Sequence, residues 1–468
     1  MPETTRTPSN RTIFIIIAVC IALFAATVLL LLFTETGRSI WIEAASESVQ
    51  TALKDEWDVE EELTAELKRI RQKGEPTTLD EIIPPQIPDE KNAAILYEKA
   101  FGALDLSDED EDMLSDLSGS FAPASAEQAP AIEDLRSIVA ENREVLELLR
   151  TARNRPDSRF SIDWSKGADF RTPFLADARW CMRILLADIS VALNDRDTDR
   201  AVTDIETGLR LACAVRREPI YLAHLVGYWL SKQMTRAVRC LVRDARLSED
   251  RCRGLYRQFV EVSFAGDVSQ ALATNRVLSL GLFEYVREHP GALEGVYSEG
   301  SSAQGLWHEI AVKPRLNAEK LTFLRYARQQ MKYVEKPYRM ARDDLRQLSE
   351  AYNEQFKKRP LAASFSVAIR TQMEQRDEAK AYLGLAQVGL ALEAYRNETG
   401  RLPGALEEIP EVVKWVEIPK DPFSGEDFVY RPAGDDYLFY SIGRNLQDDA
   451  GEIADRADEA DIVWRVGQ

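Results

Sequence analysis

Apolar residues recur at steps of three and four along most of the chain, which is the spacing of one face of an α-helix. The region 172–260 has the most regular pattern, with predicted helices over 178–194, from about 201 to 213, and over 220–242. The third is very apolar, and its polar side carries Lys232, Arg236, Arg239 and Arg243. These patterns predict a mainly α-helical protein that contains a large domain of helical hairpins.

One carboxylate interrupts the apolar side of the helix predicted over 178–194. Its polar residues form a single stripe, and Asp188 lies opposite them. A carboxylate in that position needs a partner if it is buried. We interpret Asp188 as part of a structural salt bridge, and the alternative is a functional carboxylate that works with a second acid across the helical core.

The uncharged segment 13–33 is long enough to cross a membrane. Its 21 residues would form a helix of about 30 Å, the thickness of a bilayer's hydrocarbon core. Arg6 and Arg11 precede it, so the positive-inside rule places the tail 1–12 in the cytoplasm and the remainder outside. We therefore predict a single-pass bacterial inner-membrane protein that contacts the lipid bilayer through 13–33. The alternative is a cleaved signal peptide, whose apolar region usually spans about 7–15 residues.

Charge and motif content narrow the functional classes. The net charge is -19, from 59 Lys and Arg against 78 Asp and Glu, which argues against a nucleic-acid-binding surface. The three histidines lie far apart, and the helical region lacks P-loop, nucleophile-elbow, HExxH and dinucleotide-binding motifs. We therefore predict a protein that is not an enzyme. The cysteines have no CxxC spacing and are predicted to pack as small apolar residues.

Breaks in the pattern divide the chain after the membrane segment into four parts. A charged helical stalk and the start of the helical domain are predicted for 34–104, and an acidic linker or loop for 105–130. The acidic run in that linker lacks the glycine turn and distal Glu of an EF-hand calcium loop. The α-helical domain is predicted for 131–376, and a small α+β module follows over 377–468.

The α+β module is predicted from one helix and three short strands. An amphipathic helix over 377–398 ends at Gly400, a residue suited to a left-handed cap. Strand patterns follow at 427–431, 435–443 and 460–466. Three short strands need a helix to cover their apolar face, so the pattern predicts a helix packed on a three-stranded antiparallel sheet.

Two parts of the chain resemble known families. The segment 185–212, LLADISVALNDRDTDRAVTDIETGLRLA, resembles one tetratricopeptide-type hairpin, although no second copy follows at that period. The ordered segments LALEAYRNETGRLP, PKDPFSGEDFVYRP, DDYLFYSIG and ADIVW resemble the C-terminal globular domain of type II secretion system major pseudopilins. That resemblance covers 377–468. The whole layout resembles uncharacterised bacterial membrane-anchored envelope proteins that end in such a module.

The pseudopilin resemblance implies a calcium-binding loop between the last two strands. The positions that match the family's ligands are Asn445 for the first, Asp448 or Asp449 for the middle one, Asp461 for the last, and Ser441 for a backbone carbonyl. The sequence departs from the family where Asn445 replaces an acid and Leu446 replaces a glycine. The alternative is a solvated acidic loop whose Asp residues cap turns. The apolar segment 13–33 also lacks the pilin processing site and the early Glu.

These features predict a non-catalytic, membrane-anchored envelope protein with a pseudopilin-like C-terminal module. Its expected partners are envelope or secretion-system proteins of pilus-like machinery, an expectation that comes from fold analogy. Two alternatives stay open. One is an extracytoplasmic hydrolase that uses paired carboxylates in the helical domain. The other is a pure scaffold whose C-terminal module caps the helical domain, which an extended apolar contact between 377–398 and the helices of 172–260 would favour.

Overall fold

The computed structural model describes residues 47–119, 131–289, 306–434, 436–452 and 460–465. The helices are α1 (Glu47–Gln72), α2 (Leu79–Ile82), α3 (Ala94–Gly102), α4 (Asp108–Gly119), α5 (Ile132–Glu141), α6 (Arg143–Ala152), α7 (Phe174–Asn194), α8 (Thr198–Arg216), α9 (Tyr221–Asp244), α10 (Glu249–Glu261), α11 (Asp267–Glu288), α12 (Leu306–Gln330), α13 (Tyr338–Lys358), α14 (Pro360–Phe365), α15 (Ile369–Thr399) and α16 (Ile409–Val412). The strands are β1 (Val429–Ala433), β2 (Asp436–Ser441) and β3 (Ile462–Arg465).

The predicted fold class is confirmed at the level of its main features, a mainly helical chain with a three-stranded antiparallel sheet near its C-terminus. The predicted membrane segment 13–33 lies outside the described residues. Within the described ranges, the helices are either too short or too polar to cross a bilayer.

The chain divides into two compact units. Among the described residues, the first contains 47–69, 286–289 and 306–322, and the second contains 70–285 and 323–465. In the first unit Glu66 is fully buried and accepts a hydrogen bond from Arg69 at 3.1 Å. The second unit contains the helical hairpins and the sheet.

Helices α7, α8 and α9 pack against one another and form the centre of the second unit. The helices predicted over 178–194 and 220–242 are present as α7 and α9. The α8 face predicted to be apolar is buried at Ala201, Ile205, Leu209 and Ala212. Gly208 on that face allows α9 to approach closely, because a Cβ there would lie 2.3 Å from the Met234 sulfur. In this part of the chain Cys181, Cys213, Cys240 and Cys252 are free thiols.

The acidic segment 105–130, predicted to be a linker or loop, contains helix α4. The prediction was wrong for 108–119, and 120–130 lie outside the described residues. Ser107 begins the helix, since its backbone N–H donates to the Asp110 carboxylate at 2.9 Å and its hydroxyl accepts from the Asp110 N–H at 3.2 Å. Leu114 is fully buried in the core and holds the helix against its neighbours.

Helix α15 crosses the predicted domain boundary at 376/377. It runs for 31 residues from Ile369 to Thr399 and ends at Gly400, whose φ of 72° confirms the predicted left-handed cap. From 381 to 395 every position except 382 and 387 is buried, so this stretch has no solvent-facing stripe. One side of α15 packs on α9 and α10, and another packs on β2 and β3.

The sheet has the order β1-β2-β3, and both pairs are antiparallel. Phe439 on β2 lies opposite Trp464 on β3, with ring centroids 5.4 Å apart. As the alternation predicted, Ile462 and Trp464 are both buried. Trp464 packs over Gly389 of α15, where a Cβ would come within 2.5 Å of the indole ring. The sheet and the helical hairpins therefore share one hydrophobic core through α15.

Candidate functional site

A buried carboxylate anchors the end of β2, where the candidate loop begins. Asp421 is 1% exposed, and its oxygens accept hydrogen bonds from the Ser441 hydroxyl at 2.7 Å and from the Ile442 N–H at 3.3 Å. They also accept from the N–H groups of Phe423 and Ser424. Asp421 therefore ties the turn after α16 to the last residue of β2. The predicted ligand Ser441 lies in this cluster, and its hydroxyl faces Asp421.

The loop after β2 brings the other predicted ligands close together. The Asn445 side chain donates to the Asp449 carboxylate at 2.7 Å. Asp448 accepts from the Tyr440 hydroxyl at 2.8 Å and from the Ala450 N–H at 2.9 Å, and these hydrogen bonds lower the pKa of Asp448. The loop is therefore organised by side chains that cap its own turns.

Two residues of this loop have left-handed backbone conformations that favour glycine. Leu446 has a φ of 63°, and Ala450 has the same value. The left-handed turn at Leu446 therefore carries a side chain that disfavours it, at a cost of about 1–2 kcal/mol.

Asp461 closes the loop from the start of β3. Its carboxylate accepts from the Gly451 N–H at 2.7 Å and from the Asp449 N–H at 3.3 Å. The residue is 7% exposed, and burial raises its pKa. Gly451 needs to be glycine because its φ is 81° and a Cβ would lie 2.9 Å from Leu438. Asp461 is thus a structural cap of the loop.

The calcium prediction also involves acids of the loop that lie outside the described residues. Across 47–119, 131–289, 306–434, 436–452 and 460–465, the structure contains no group of three or more His, Cys, Asp or Glu side chains placed to hold a metal. The acids Asp455, Asp458 and Glu459 of the same loop lie outside the described residues. Calcium binding at Ser441, Asn445, Asp448, Asp449 and Asp461 stays a prediction.

We expect Asp461→Ala to lower the free energy of unfolding by about 2 kcal/mol in calcium-free buffer, because two backbone N–H groups lose their acceptor. Asp461→Asn keeps one acceptor oxygen and should lose about half as much. Urea unfolding of the intact protein with and without millimolar calcium measures both effects. A calcium-dependent rise of the wild-type midpoint that disappears in Asp461→Ala would support a metal ion. A wild-type stability within error of Asp461→Ala would contradict the capping role.

A buried ion network joins the candidate loop to the helical hairpins. Glu378 of α15 is 4% exposed and pairs with Lys232 of α9 at 2.9 Å and with Arg444 of the loop. Burial raises the pKa of Glu378, but the two cations outweigh burial, so the net shift of its pKa is downward. The network fixes the loop against α9 and α15.

Asp188 has the salt-bridge partners that the sequence led us to expect. It is fully buried between Arg150 of α6 and Arg200 of α8, with Arg200 Nε 3.0 Å from its carboxylate. Arg150 also makes a bidentate pair with the fully buried Asp204, at 2.7 and 2.9 Å. Asp204 is an acid next to Asp188 that the sequence could not identify.

The two carboxylates of this cluster have opposite pKa shifts. Burial raises the pKa of Asp204 to about 7, and the adjacent Asp188 also raises it. Burial would raise the pKa of Asp188 as well, but its hydrogen bonds with Asp204 and Arg200 outweigh burial and lower it. Acid-base enzymes often separate the pKa values of two carboxylates in this way. Here both carboxylates are 0% exposed and arginine-paired, an arrangement that suits a structural ion cluster.

Glu218, two residues after the end of α8, is expected to make the stability of the protein depend on pH. It is 1% exposed, it accepts from the Phe160 N–H at 2.7 Å, and burial raises its pKa from 4.5 to about 7. Between pH 4.5 and about 7 the folded state therefore binds more protons than the unfolded state. The free energy of unfolding falls as the pH rises through that range.

We expect Glu218→Gln to remove this pH dependence while keeping the acceptor for Phe160. Its free energy of unfolding should exceed that of the wild type by an amount that grows from pH 4.5 to 7.5, up to about 3 kcal/mol. Urea unfolding at several pH values measures the difference, with the exposed Glu90→Gln as control. A difference that is constant with pH would contradict a raised pKa.

Several residues of these clusters were not singled out from the sequence, among them Asp421 and Asp204. Asp421 is the first residue of the segment DPFSG. An Asp at the start of a turn often accepts hydrogen bonds from backbone N–H groups two or three residues later, so this segment could have indicated the role of Asp421. Asp204 gave no local signal, since its partners lie on α6 and α7. Comparisons with protein families, curated proteins and solved structures gave no match to the chain.

Proposed function

We propose that the chain is a non-catalytic, membrane-anchored envelope protein whose folded part is a binding scaffold. The segment 13–33 holds it in a bacterial inner membrane, and the bulk of the chain lies on the extracytoplasmic side. Its partners are envelope proteins, with secretion or pilus-like machinery as the class that the pseudopilin resemblance suggests.

The observation that carries the scaffold role is the burial of α15 between the sheet and the helical hairpins. An extended contact between 377–398 and the helices of 172–260 was the feature expected of a module that caps the helical domain. Polar contacts add to it, since Asn397 donates to the Leu247 carbonyl at 2.7 Å and Trp415 donates to Glu249 of α10 at 3.0 Å. In this proposal the module closes the hairpin domain and is not displayed separately as in a pilin.

The hydrolase alternative is supported by the carboxylate pair Asp188 and Asp204. Their opposite pKa shifts suit an acid and a base. Their complete burial and their pairing with Arg150 and Arg200 argue against it, because a catalytic carboxyl must reach its substrate. A structural role therefore explains the cluster better.

The membrane placement is tested by fractionation of bacteria that express the full chain. We expect the protein to resist extraction by alkaline carbonate, to dissolve in detergent, and to lose the bulk of 34–468 to protease added to spheroplasts. A variant that lacks 13–33 is the control: carbonate should release it, and protease added to intact spheroplasts should leave it uncut. Release by carbonate, or protection of the C-terminal bulk in spheroplasts that remain intact, would contradict the proposal.

A further inference from the structure

A cationic and aromatic surface lies along α7 and α9. We call it the arginine face and define it by Arg179, Trp180, Arg183, Trp229 and Arg236. The Arg183 guanidinium lies 4.4 Å from the centre of the Trp180 ring and 5.4 Å from that of Trp229. Arg179 lies 5.4 Å from the same Trp229 ring. In a chain of net charge -19, this group of cations is opposite in sign to the protein as a whole.

Two of the three arginines of the arginine face hold their charge at buried or half-buried positions. Arg183 is 9% exposed, and Arg236 is half-buried. Burial lowers the pKa of both side chains. Taking a charged group out of water is unfavourable, and nearby carboxylates or carbonyl oxygens offset that cost. The chemistry of this surface therefore favours an acidic contact.

Helix α4 packs on α7 and supplies an acceptor to this surface. Its Leu117 carbonyl accepts a hydrogen bond from Arg236, and the charge of Glu111 acts to raise the pKa of Arg183, against the effect of burial. The apolar residues Met113, Leu114 and Leu117 follow the acidic first turn and pack against the core. The arginine face thus binds an acidic amphipathic helix that belongs to the chain itself.

The attachment of α4 depends on few buried side chains. Within 108–117, Leu114 is fully buried, Met113 and Leu117 are half-buried, and Asp108, Glu109 and Asp112 are exposed. Elements with few buried apolar contacts open more readily than the rest of a fold. A second helix with the same pattern of acids and leucines would make the same contacts.

We propose that the arginine face is a docking surface for an acidic amphipathic helix of a partner protein, and that α4 occupies it as an internal substitute. The proposal rests on the scaffold role given above and identifies the surface and the chemistry of the partner. It requires that α4 and the partner helix exclude each other.

A labelled peptide with the sequence of 106–119 is the probe, and fluorescence anisotropy with the full chain is the measurement. We expect Leu114→Ser, which loosens the internal helix, to bind the peptide at least tenfold more tightly than the wild type. Arg236→Gln added to Leu114→Ser should remove that gain. The control peptide has serine at the positions of Leu114 and Leu117 and the same charge. Should Leu114→Ser fail to fold in a circular dichroism melt, Leu117→Ser, at a half-buried position, replaces it.

Absence of tighter binding in the folded loosened variant would overturn the proposal. Equal binding of the control peptide would also overturn it, because the surface would then accept any polyanion. Either failure would leave the membrane fractionation unaffected, so the docking surface and the proposed function are tested separately.

Discussion

A fragment of residues 365–468, which contains the whole pseudopilin-like module, is expected not to fold on its own. Its helix α15 is buried against α9 and α10 as well as against the sheet. In the fragment, the side that packs on α9 and α10 would lie in water, and Glu378 would lose Lys232. Buried apolar surface stabilises a fold by about 25 cal/mol per Å², and small domains are only marginally stable, so we expect the loss of this contact to unfold the fragment.

Circular dichroism and urea unfolding of the fragment measure this outcome. We expect little fixed structure and no cooperative transition, whereas a chain of 70–468, which retains the second compact unit, should unfold cooperatively. A cooperative transition in the isolated fragment would contradict the shared core. It would then favour a separate module like that of a pilin.

The second large effect is expected at the contact between α15 and β3. Gly389→Ala places a methyl group within 2.5 Å of the Trp464 indole, which is 1% exposed and cannot move away freely. We expect a loss of roughly 2–3 kcal/mol in the free energy of unfolding, typical of overpacking in a well-packed core. Urea unfolding with far-UV circular dichroism measures it.

Gly254→Ala on α10 is the matched control. Gly254 also lies in a helix, but no atom comes within 4 Å of its would-be Cβ. Alanine there should raise stability by about 0.5–1 kcal/mol, the ordinary gain in an exposed helix. Similar effects from the two substitutions would mean that α15 and Trp464 do not pack as described.

The sequence predicted those elements in which a regular apolar pattern continues over many residues. Helices α7 and α9 and the three strands were predicted close to their observed positions, because burial on one face imposes a period on the residues. Helix α15 was predicted from 377, but it begins eight residues earlier, at Ile369. Helix α4 was missed because a run of acids hides its period, although Ser107 and Asp110 form a recognisable helix start.

The clusters were predictable only in part. Burial of Asp188 followed from its place on the apolar side of one helix, but its partners come from two other helices, α6 and α8. Arg150, Arg200 and Asp204 meet it through tertiary packing, which local spacing does not encode. The same limit applies to α15. Its apolar pattern predicted a helix that covers the sheet. The pattern could not show that α9 and α10 pack on the other side of this helix, because that contact depends on how the hairpins fold.

The shared core is tested most directly by native-state hydrogen exchange of the intact protein in low concentrations of urea. Amides of β2, at 436–441, and of α9, at 221–244, report the free energy needed to open the sheet and the hairpins. We predict that both segments open with the same free energy, within about 1 kcal/mol, and that Gly389→Ala lowers both together. Opening of β2 at a free energy several kcal/mol lower, with α9 still fully protected, would contradict a single core built on α15.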